Sequence, residues 1–378
     1  MVTGIICEYN PLHLGHKKQL DIIRAADPDG IIVCLMSGNY VQRGMPSIVD
    51  KSIRAKAAVM AGADLVLELP VTAALSSAEG FASEGVRILS PFCTHLCFGA
   101  ETADVDTLMQ TAQALLLPDF SQLLRAELDK GLSFPAARAA ALEQMGVAAV
   151  TKPNDILAVE YCKAILSQNS SLIPWSIQRV GDYHDEDAHE SNPSATAVRK
   201  LMLQSGMWLD YVPEAVRDYF KGAQLHTISA GERMILGKLR TMTDAEFEAI
   251  PFGSEGLWRK LMHNARRFAN LEDVITATKS KRYTRTRLDR MVMCAFLGIT
   301  EEMMASPAPY VRLLAFNDKG RKILRQSKEN FPVVNAGERV DHPYCELEKR
   351  AGNLYALFAA DAPEPPCAEE NRRVVYVR

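Results

Sequence analysis

Glu8-Tyr9-Asn10-Pro11-Leu12-His13-Leu14-Gly15-His16 is the stretch around which this chain is organised. It follows an apolar run at 4–7, whose β-branched residues are typical of a buried strand. It precedes the run 17–26, in which apolar residues recur near helical spacing. His13 and His16 are therefore predicted to lie where a strand ends and a helix begins.

The residues of this turn predict an anion site. Pro11 ends the strand because it has no N–H for the ladder, and Gly15 allows close approach to the backbone. A helix N-terminus carries free N–H groups and about half a positive charge. Two imidazoles three residues apart at such a terminus suit a triphosphate. The alternative is that both histidines only cap the helix or lie at the surface, but the surrounding strand, proline, glycine and helix favour a nucleotide site.

Length and composition predict a protein of two or three domains with a sizeable core. The chain has 378 residues, 48% of them apolar, and a formal net charge of −3, so a basic surface would have to be local. It contains no apolar run of about 20 residues and no N-terminal signal pattern. We therefore expect a soluble cytoplasmic protein with reduced cysteines and no membrane partner.

The cysteines do not predict a metal site. None of the eight forms a CxxC pair. The spacing Cys93-x-His95-x-Cys97 could hold a metal, but alternation along a strand places these residues on one face without one.

Strand-like and helical runs alternate through the first half, which is typical of a parallel α/β sheet. After the first strand, the strand-like runs are 31–36, 64–70, 95–99 and 173–180, and helical runs include 50–62 and 78–89. A run rich in Ala and Leu predicts a helical insertion at about 102–150. Ligands of such sheets bind beyond the carboxyl ends of the strands, so we expect residues 8–16, 37–39 and 99–101 to meet there.

The second half, from 206, shows little strand pattern and several helical runs, which are 231–242, 244–250, 257–268, 271–278 and 288–297. We therefore predict a first domain at 1–205 and a mainly helical, RNA-binding domain at 206–378. The run 279–290 holds six cations and one anion. Its arginines alternate with Tyr and Thr, which suits phosphates and stacked bases, whereas the alternative is a solvated loop.

The cations of this run are the predicted RNA contacts: Lys279, Lys281, Arg282, Arg285, Arg287 and Arg290. The helix before it adds Arg259, Lys260, Arg266 and Arg267. A second, weaker basic patch consists of Lys319, Arg321, Lys322 and Arg325.

A second motif, Ser194-Ala195-Thr196-Ala197-Val198-Arg199, opens another helix. Ser and Thr at a helix start, with Arg one turn later, could form a cap and nothing more. They can also donate to a phosphate. In a chain that already holds the histidine turn, we favour the phosphate role.

Together these motifs resemble the bacterial tRNA(Met) cytidine acetate ligases, which belong to the HxGH nucleotidylyltransferase superfamily. The segments that carry the resemblance are ICEYNP at 6–11, HLGH at 13–16, MSGNYVQRG at 36–44, ADLVLELP at 63–70, FGAE at 98–101, NDIL at 154–157 and SATAVR at 194–199. The resemblance is dense over residues 1–200 and looser to about 330. It implies a Rossmann-like nucleotidylyltransferase sheet followed by the helical domain. Leu12 and Leu14 depart from the family, which commonly has Phe and Asn there.

The resemblance implies an enzyme that activates acetate with ATP as acetyl-adenylate. It would then acetylate the exocyclic amine of the wobble cytidine of elongator tRNA(Met), giving N4-acetylcytidine. Mg²⁺ would accompany ATP without a dedicated protein site, and the oligomeric state is not predicted.

The resemblance also implies ATP contacts within 6–19 and at Gly99, Asn154 and Arg179. With the residues singled out above, the predicted ATP-binding set is Cys7, Glu8, Tyr9, Asn10, His13, Gly15, His16, Gly99, Asn154, Arg179, Ser194, Thr196 and Arg199. His13 and His16 would be catalytic. Glu8 and Asp155 are candidate general bases, and Lys51 is a further candidate triphosphate contact.

Two other functional classes stay open at this point. HLGH and SATAVR alone also fit a small-molecule adenylyltransferase acting on a nucleotide or a phosphopantetheine precursor, although the large helical half favours a macromolecular substrate. The third class is an RNA-binding protein with a vestigial nucleotide site, against which the intact HLGH motif argues.

Overall fold

A computed structural model describes residues 1–148, 150–179, 194–204, 207–327, 330–362, 365–366 and 369–378. The strands are β1 (Val2–Cys7), β2 (Ile31–Ser37), β3 (Tyr40–Val41), β4 (Met45–Pro46), β5 (Leu65–Leu69), β6 (His95–Ala100), β7 (Ile173–Gln178), β8 (Val311–Phe316), β9 (Val333–Asn335) and β10 (Val375–Tyr376). Val180, the last residue of the predicted fifth strand, lies outside the described residues.

The helices of the first half are α1 (Leu14–Ala26), α2 (Lys51–Met60), α3 (Val71–Ala74), α4 (Ala78–Leu89), α5 (Val105–Leu116), α6 (Pro118–Asp129), α7 (Phe134–Gln144), α8 (Pro153–Ser167) and α9 (Ala195–Gln204). Those of the second half are α10 (Arg217–Lys221), α11 (Ile228–Thr241), α12 (Asp244–Glu248), α13 (Leu257–Arg267), α14 (Leu271–Thr278), α15 (Arg285–Leu297), α16 (Glu301–Ala305), α17 (Asp318–Ser327) and α18 (Pro343–Tyr355).

The central sheet has the order β10-β8-β5-β2-β1-β6-β7, with β9 also paired to β8. The strands β5, β2, β1, β6 and β7 run parallel, and β8 joins β5 in the antiparallel direction. The predicted α/β class with a mostly parallel sheet is therefore confirmed. Because β1 lies inside the sheet, the turn that follows it opens at the middle of the carboxyl edge.

The second half is mainly helical, as expected, but it also contributes three strands to the central sheet. Strands β8, β9 and β10 extend the sheet beyond β5. β8 is a continuous run of largely buried residues, and periodicity alone cannot distinguish such a strand from part of a buried helix. β9 and β10 span three and two residues, too few for any sequence pattern. The domain boundary near 205 stays a prediction, but residues from both sides of it share one sheet.

Side chains of β2 show how the sheet separates two cores. Val33 and Leu35 pack into one cluster with α4, α5 and α8, whereas Cys34 and Met36 pack into another with α1 and α2. A third core lies among α11, α13, α14, α15 and α18. Tyr40 belongs to this third core, and its hydroxyl donates to the Ala351 carbonyl at 3.0 Å. The β3–β4 hairpin thus joins the sheet to the helical half.

One buried guanidinium ties the loops of the carboxyl edge together. Arg54 on α2 is fully buried, and burial lowers its pKa. It donates to oxygens of three segments: Glu8 O (2.6 Å), Ser37 O (3.1 Å), Gly38 O, Ser47 Oγ (3.1 Å) and Val49 O (2.8 Å). These bonds hold the end of β1, the end of β2 and the start of α2 in one arrangement.

We expect Arg54→Lys to lower the free energy of unfolding by about 3 kcal/mol or more, because an ammonium cannot satisfy this many diverging acceptors. Urea unfolding followed by circular dichroism measures the change. Arg325→Lys on the exposed face of α17 is the matched control and should change little. An Arg54→Lys variant as stable as the control would contradict the role given to this side chain.

Candidate active site

The β1–α1 turn borders a cavity of about 190 Å³ at the carboxyl edge of the sheet. Among its lining residues are Cys7, Glu8, Tyr9, Asn10, His13, His16, Gly99, Asn154, Arg179, Ser194, Thr196 and Arg199. Gly15, the remaining member of the predicted ATP-binding set, lines a neighbouring cavity of about 70 Å³ with both histidines and Arg179. The structure therefore brings the predicted residues together, while their contacts with ATP stay a prediction.

The two histidines cap α1 with their own rings. His13 is the N-cap, and its Nδ1 accepts a hydrogen bond from Gly15 N at 3.1 Å. Nδ1 of His16 accepts from His13 N at 3.3 Å, which completes a reciprocal capping box. Since each Nδ1 is an acceptor, a neutral ring carries its proton on Nε2. The two histidines therefore do cap the helix, and both rings also line the cavity.

Both imidazoles are held neutral. Burial, followed by the charges of Arg179 and Arg199, lowers the pKa of His13 from 6.5 to about 3. Burial, followed by His13 and Arg179, lowers the pKa of His16 well below its ordinary value. The ring centroids are 3.8 Å apart. Two uncharged N–H donors therefore lie side by side at a helix N-terminus, next to arginines that carry the positive charge.

The two arginines are positioned by different means. A Cβ at Gly99 would lie 2.9 Å from both Cγ and Cδ of Arg179, so the glycine leaves room for that side chain across the strand end. Arg199 donates to Asn10 O at 2.6 Å and to Thr196 Oγ1 at 3.0 Å. Ser194 Oγ caps α9 by accepting from Ala197 N. The second motif is thereby tied directly to the histidine turn.

The two candidate bases lie in different surroundings. Asp155 is buried and accepts from Thr102 N (2.9 Å) and Thr102 Oγ1 (2.5 Å), and it is absent from the cavity lining. Its contacts indicate a structural role. Glu8 lines the cavity, and its Oε1 accepts from Gln42 N at 2.8 Å. Glu8 is therefore the better-placed carboxylate.

The sequence did not identify Glu101 as a positioning residue. Its carboxylate accepts from Asn154 Nδ2 at 2.6 Å and from Asp155 N at 2.9 Å. These bonds fix the start of α8 and hold the Asn154 side chain at the edge of the cavity. The FGAE motif at a strand end was the available signal.

Lys51 does not reach the cavity, so its predicted triphosphate contact is wrong for this structure. It is buried, and its Nζ pairs with Glu68 at 2.6 Å and with Glu369 at 2.9 Å. Arg312 and Arg372 approach the same Glu369 carboxylate at 3.8 and 3.2 Å. Lys51 thus belongs to a buried charge cluster that docks the C-terminal segment, which lies more than 300 positions away in the sequence.

The β3–β4 hairpin forms a wall of the cavity through Val41, Gln42, Arg43 and Met45. Its tip also contacts the helical half. Gly44 has φ of +76°, and a Cβ there would lie 2.4 Å from the backbone of Asp289 and Arg290. Only glycine fits this approach. The MSGNYVQRG motif signalled this segment but not its contact with α15.

The predicted RNA contacts have mixed surroundings. Lys279 and Lys281 are exposed. Arg282 pairs with Glu255 at 2.9 Å, and Arg285 pairs with Glu272 at 2.7 Å and with Asp289 at 2.9 Å. Arg287 donates to Phe252 O and Ser254 Oγ, and Arg290 stacks over the Phe252 ring. The charge counted from the local sequence is therefore partly neutralised by acids from elsewhere.

In the part of the chain that the structure describes, no three His, Cys, Asp or Glu side chains are grouped as metal ligands. The helices described are also too short or too polar to cross a membrane.

The neutral histidines predict a pH dependence of stability. As the pH falls below about 6.5, the histidine becomes protonated in the unfolded chain but stays neutral in the folded protein. The free energy of unfolding therefore decreases as the pH falls from about 6.5 toward about 3. We expect wild type to lose about 2 kcal/mol more than His13→Asn between about pH 7.5 and about pH 5, since asparagine keeps a cap but does not titrate. Urea unfolding at both pH values measures this difference. Parallel pH profiles of the two proteins would contradict the assignment.

Comparison with known proteins gives consistent matches over nearly the whole chain. A family model described as HIGH Nucleotidyl Transferase matches residues 1–369. The tRNA(Met) cytidine acetate ligase of Clostridium perfringens (strain SM101) is 35% identical over 385 residues, covering 94% of this chain and 95% of that protein. The enzyme of the same name from Acetivibrio thermocellus is 36% identical over 393 residues and covers 94% of each chain.

The fold agrees with a solved relative as well. The apo crystal structure (form I) of Thermotoga maritima TmcAL superposes with a TM-score of 0.91 at 30% identity, covering 100% of this chain and 99% of that chain. A second crystal form of that protein, bound with alpha-thio ATP, gives a TM-score of 0.89 with the same coverage. From the family model and these relatives, together with the histidine turn at the strand edge, we conclude that the chain belongs to the tRNA(Met) cytidine acetate ligase family.

Proposed function

We propose that this protein is an ATP-dependent ligase that forms acetyl-adenylate and acetylates the exocyclic amine of the wobble cytidine of elongator tRNA(Met). The observation that carries the proposal is the pair of neutral imidazoles and two arginines that line one cavity at a helix N-terminus. Family membership and the alpha-thio ATP complex of the Thermotoga relative support it. A reaction on tRNA would take place in the cytoplasm.

ATP is proposed to lie along the cavity with its phosphates at the start of α1. The Nε2–H groups of His13 and His16 and the free N–H groups of the helix donate to phosphate oxygens. Arg179 and Arg199 supply the positive charge that the neutral rings lack. Apolar side chains of the same cavity, Phe81, Phe98, Leu157 and Tyr161, provide surface for the nucleoside.

In the first step, an acetate oxygen attacks the α-phosphorus and pyrophosphate leaves. The protein's contribution is to align the two reactants and to stabilise the negative charge that moves onto the leaving group. Donors that are already fixed by capping contacts need no reorganisation when this charge develops. The neutral state of the imidazoles suits hydrogen bonding rather than proton transfer.

In the second step, the cytidine N4 attacks the acetyl carbonyl carbon, and AMP leaves with the bridging oxygen. The base must leave its stack to reach the cavity. The amine loses one proton as the amide forms, and we assign Glu8 as its acceptor because this carboxylate lines the cavity. No covalent acyl-enzyme is required.

Among the described residues, no group of three or more His, Cys, Asp and Glu side chains could hold a metal ion. We therefore assign no step to a metal bound by side chains. Mg²⁺ that accompanies ATP would be held by phosphate oxygens and water.

Two substitutions of His16 separate its donor from its capping role. Asparagine can replace Nδ1 as the acceptor for His13 N but cannot replace Nε2–H, whereas glutamine can place a donor near the Nε2 position. We expect His16→Asn to lower kcat/KM for acetate-dependent pyrophosphate exchange into ATP by about 100-fold or more, as for the loss of one transition-state donor. His16→Gln should retain more activity.

The control is thermal unfolding, in which the Asn variant should resemble wild type. A His16→Asn variant that catalyses pyrophosphate exchange with the kcat/KM of wild type would contradict the role assigned to His16. Exchange that needs a nucleotide or phosphopantetheine precursor instead of acetate would favour a small-molecule adenylyltransferase.

A further inference from the structure

Helix α13 (Leu257–Arg267) presents a strongly basic exposed face. Its sequence, LWRKLMHNARR, contains no Asp or Glu. The exposed polar positions are Arg259, Lys260, His263, Arg266 and Arg267. They recur at i, i+1, i+4, i+7 and i+8, which places them on one side of the helix over about 12 Å. We call these five residues the α13 stripe.

The opposite side of the same helix is anchored in the helical core. Leu257, Leu261 and Ala265 are buried in the cluster shared with α11, α14 and α15. Asn264 is also buried, and its Nδ2 donates to Thr278 Oγ1 at 3.0 Å. The stripe is therefore held on a rigid helix, so little ordering is needed when it meets a ligand.

Most of the stripe's charge is not neutralised by carboxylates of the described residues. Arg266 lies 3.7 Å from Asp244, which is a long and exposed pair. No carboxylate of the described residues pairs with Arg259, Lys260 or Arg267. By contrast, Arg282 and Arg285 of the run 279–290 are paired with Glu255, Glu272 and Asp289. Exposed cations without carboxylate partners are the ones available to phosphates.

The stripe continues onto the start of the basic run. Lys260 Nζ donates to Lys279 O at 3.4 Å, so the end of α14 lies against α13. Lys279 and Lys281 are exposed there and line a shallow groove with Tyr283. Trp258 is partly exposed beside Arg259, whose guanidinium lies 4.9 Å from the ring. Cations with adjoining aromatic rings suit an RNA backbone and unstacked bases.

From these contacts we infer that the α13 stripe, extended by Lys279 and Lys281, is the surface that binds the phosphate backbone of the RNA substrate. The paired arginines of the run 279–290 then mainly hold α14, α15 and the preceding loop in place. The inference rests on the proposed function, because it takes tRNA as the partner. The main electrostatic contact with RNA would then lie on α13, whose cations mostly lack carboxylate partners among the described residues. It would not lie on the run 279–290, although that run has the highest local charge in the sequence.

The test compares two full-length variants with equal charge loss. Arg259→Gln/Lys260→Gln/Arg267→Gln removes three cations of the stripe. Arg321→Gln/Lys322→Gln/Arg325→Gln removes three exposed cations of α17, the second basic patch, and is the matched control. Binding of an unmodified tRNA(Met) transcript is measured at several salt concentrations, with acetate-dependent pyrophosphate exchange measured in parallel.

We expect the stripe variant to raise Kd about tenfold or more and to reduce the slope of log Kd against log salt by about 2 to 3, since each phosphate contact contributes about 0.7 to 0.9. The control variant should change both quantities far less. Exchange should be unchanged in both, because neither set contacts the cavity. Unchanged binding in the stripe variant, or equal losses in both variants, would overturn the inference.

Folding and function are tested separately. If thermal unfolding shows that the triple variant is disturbed, the single variants Lys260→Gln and Arg267→Gln decide the matter, each with an expected slope change of about 1. Wild-type protein that neither binds nor acetylates tRNA(Met) would contradict the proposed function itself. Wild-type activity with a stripe variant that binds normally would contradict only the inference.

Discussion

The geometry of the site depends on the hydrogen bonds of the buried Arg54 guanidinium. It bonds to backbone oxygens at the end of β1 (Glu8) and at the end of β2 (Ser37 and Gly38), and to the segment before α2 (Ser47 and Val49). Strand ends in a parallel sheet have carbonyl groups that no further ladder satisfies. Arg54 satisfies several of them at once, and it thereby fixes where Glu8 and the β3–β4 hairpin stand around the cavity.

The histidine turn uses the same contacts for folding and for chemistry. A helix start needs acceptors for its first N–H groups, and the two Nδ1 atoms provide them. That requirement places the ring protons on Nε2. Burial and the neighbouring arginines then keep the rings uncharged. The result is a set of oriented neutral donors, with the charge that neutralises phosphate supplied by Arg179 and Arg199.

Local sequence predicted the features that depend on neighbours along the chain. The strand, turn and helix around His13 and His16 follow from residue types within about twenty positions. The features that the local sequence does not predict depend on partners that are distant in the chain. Lys51 is held by Glu369, and β8 reaches β5 across more than 240 positions. Arg54 has no local pattern that reveals its partners, and the FGAE motif marks Glu101 without showing that it bonds to Asn154 and Asp155. The RNA contacts of the run 279–290 stay a prediction, but two of its arginines pair with Glu255 and Glu272, which lie outside the run.

In the proposed reaction, acetate is activated when one of its oxygens bonds to the α-phosphorus of ATP in this cavity. The most direct test supplies acetate labelled with ¹⁸O in both oxygens, together with ATP and tRNA(Met), and analyses the AMP released by mass spectrometry. Acetyl-adenylate predicts that AMP gains one ¹⁸O atom for each N4-acetylcytidine formed, since the bridging oxygen leaves with AMP. Acetylated tRNA accompanied by unlabelled AMP, or by ADP, would contradict the claim.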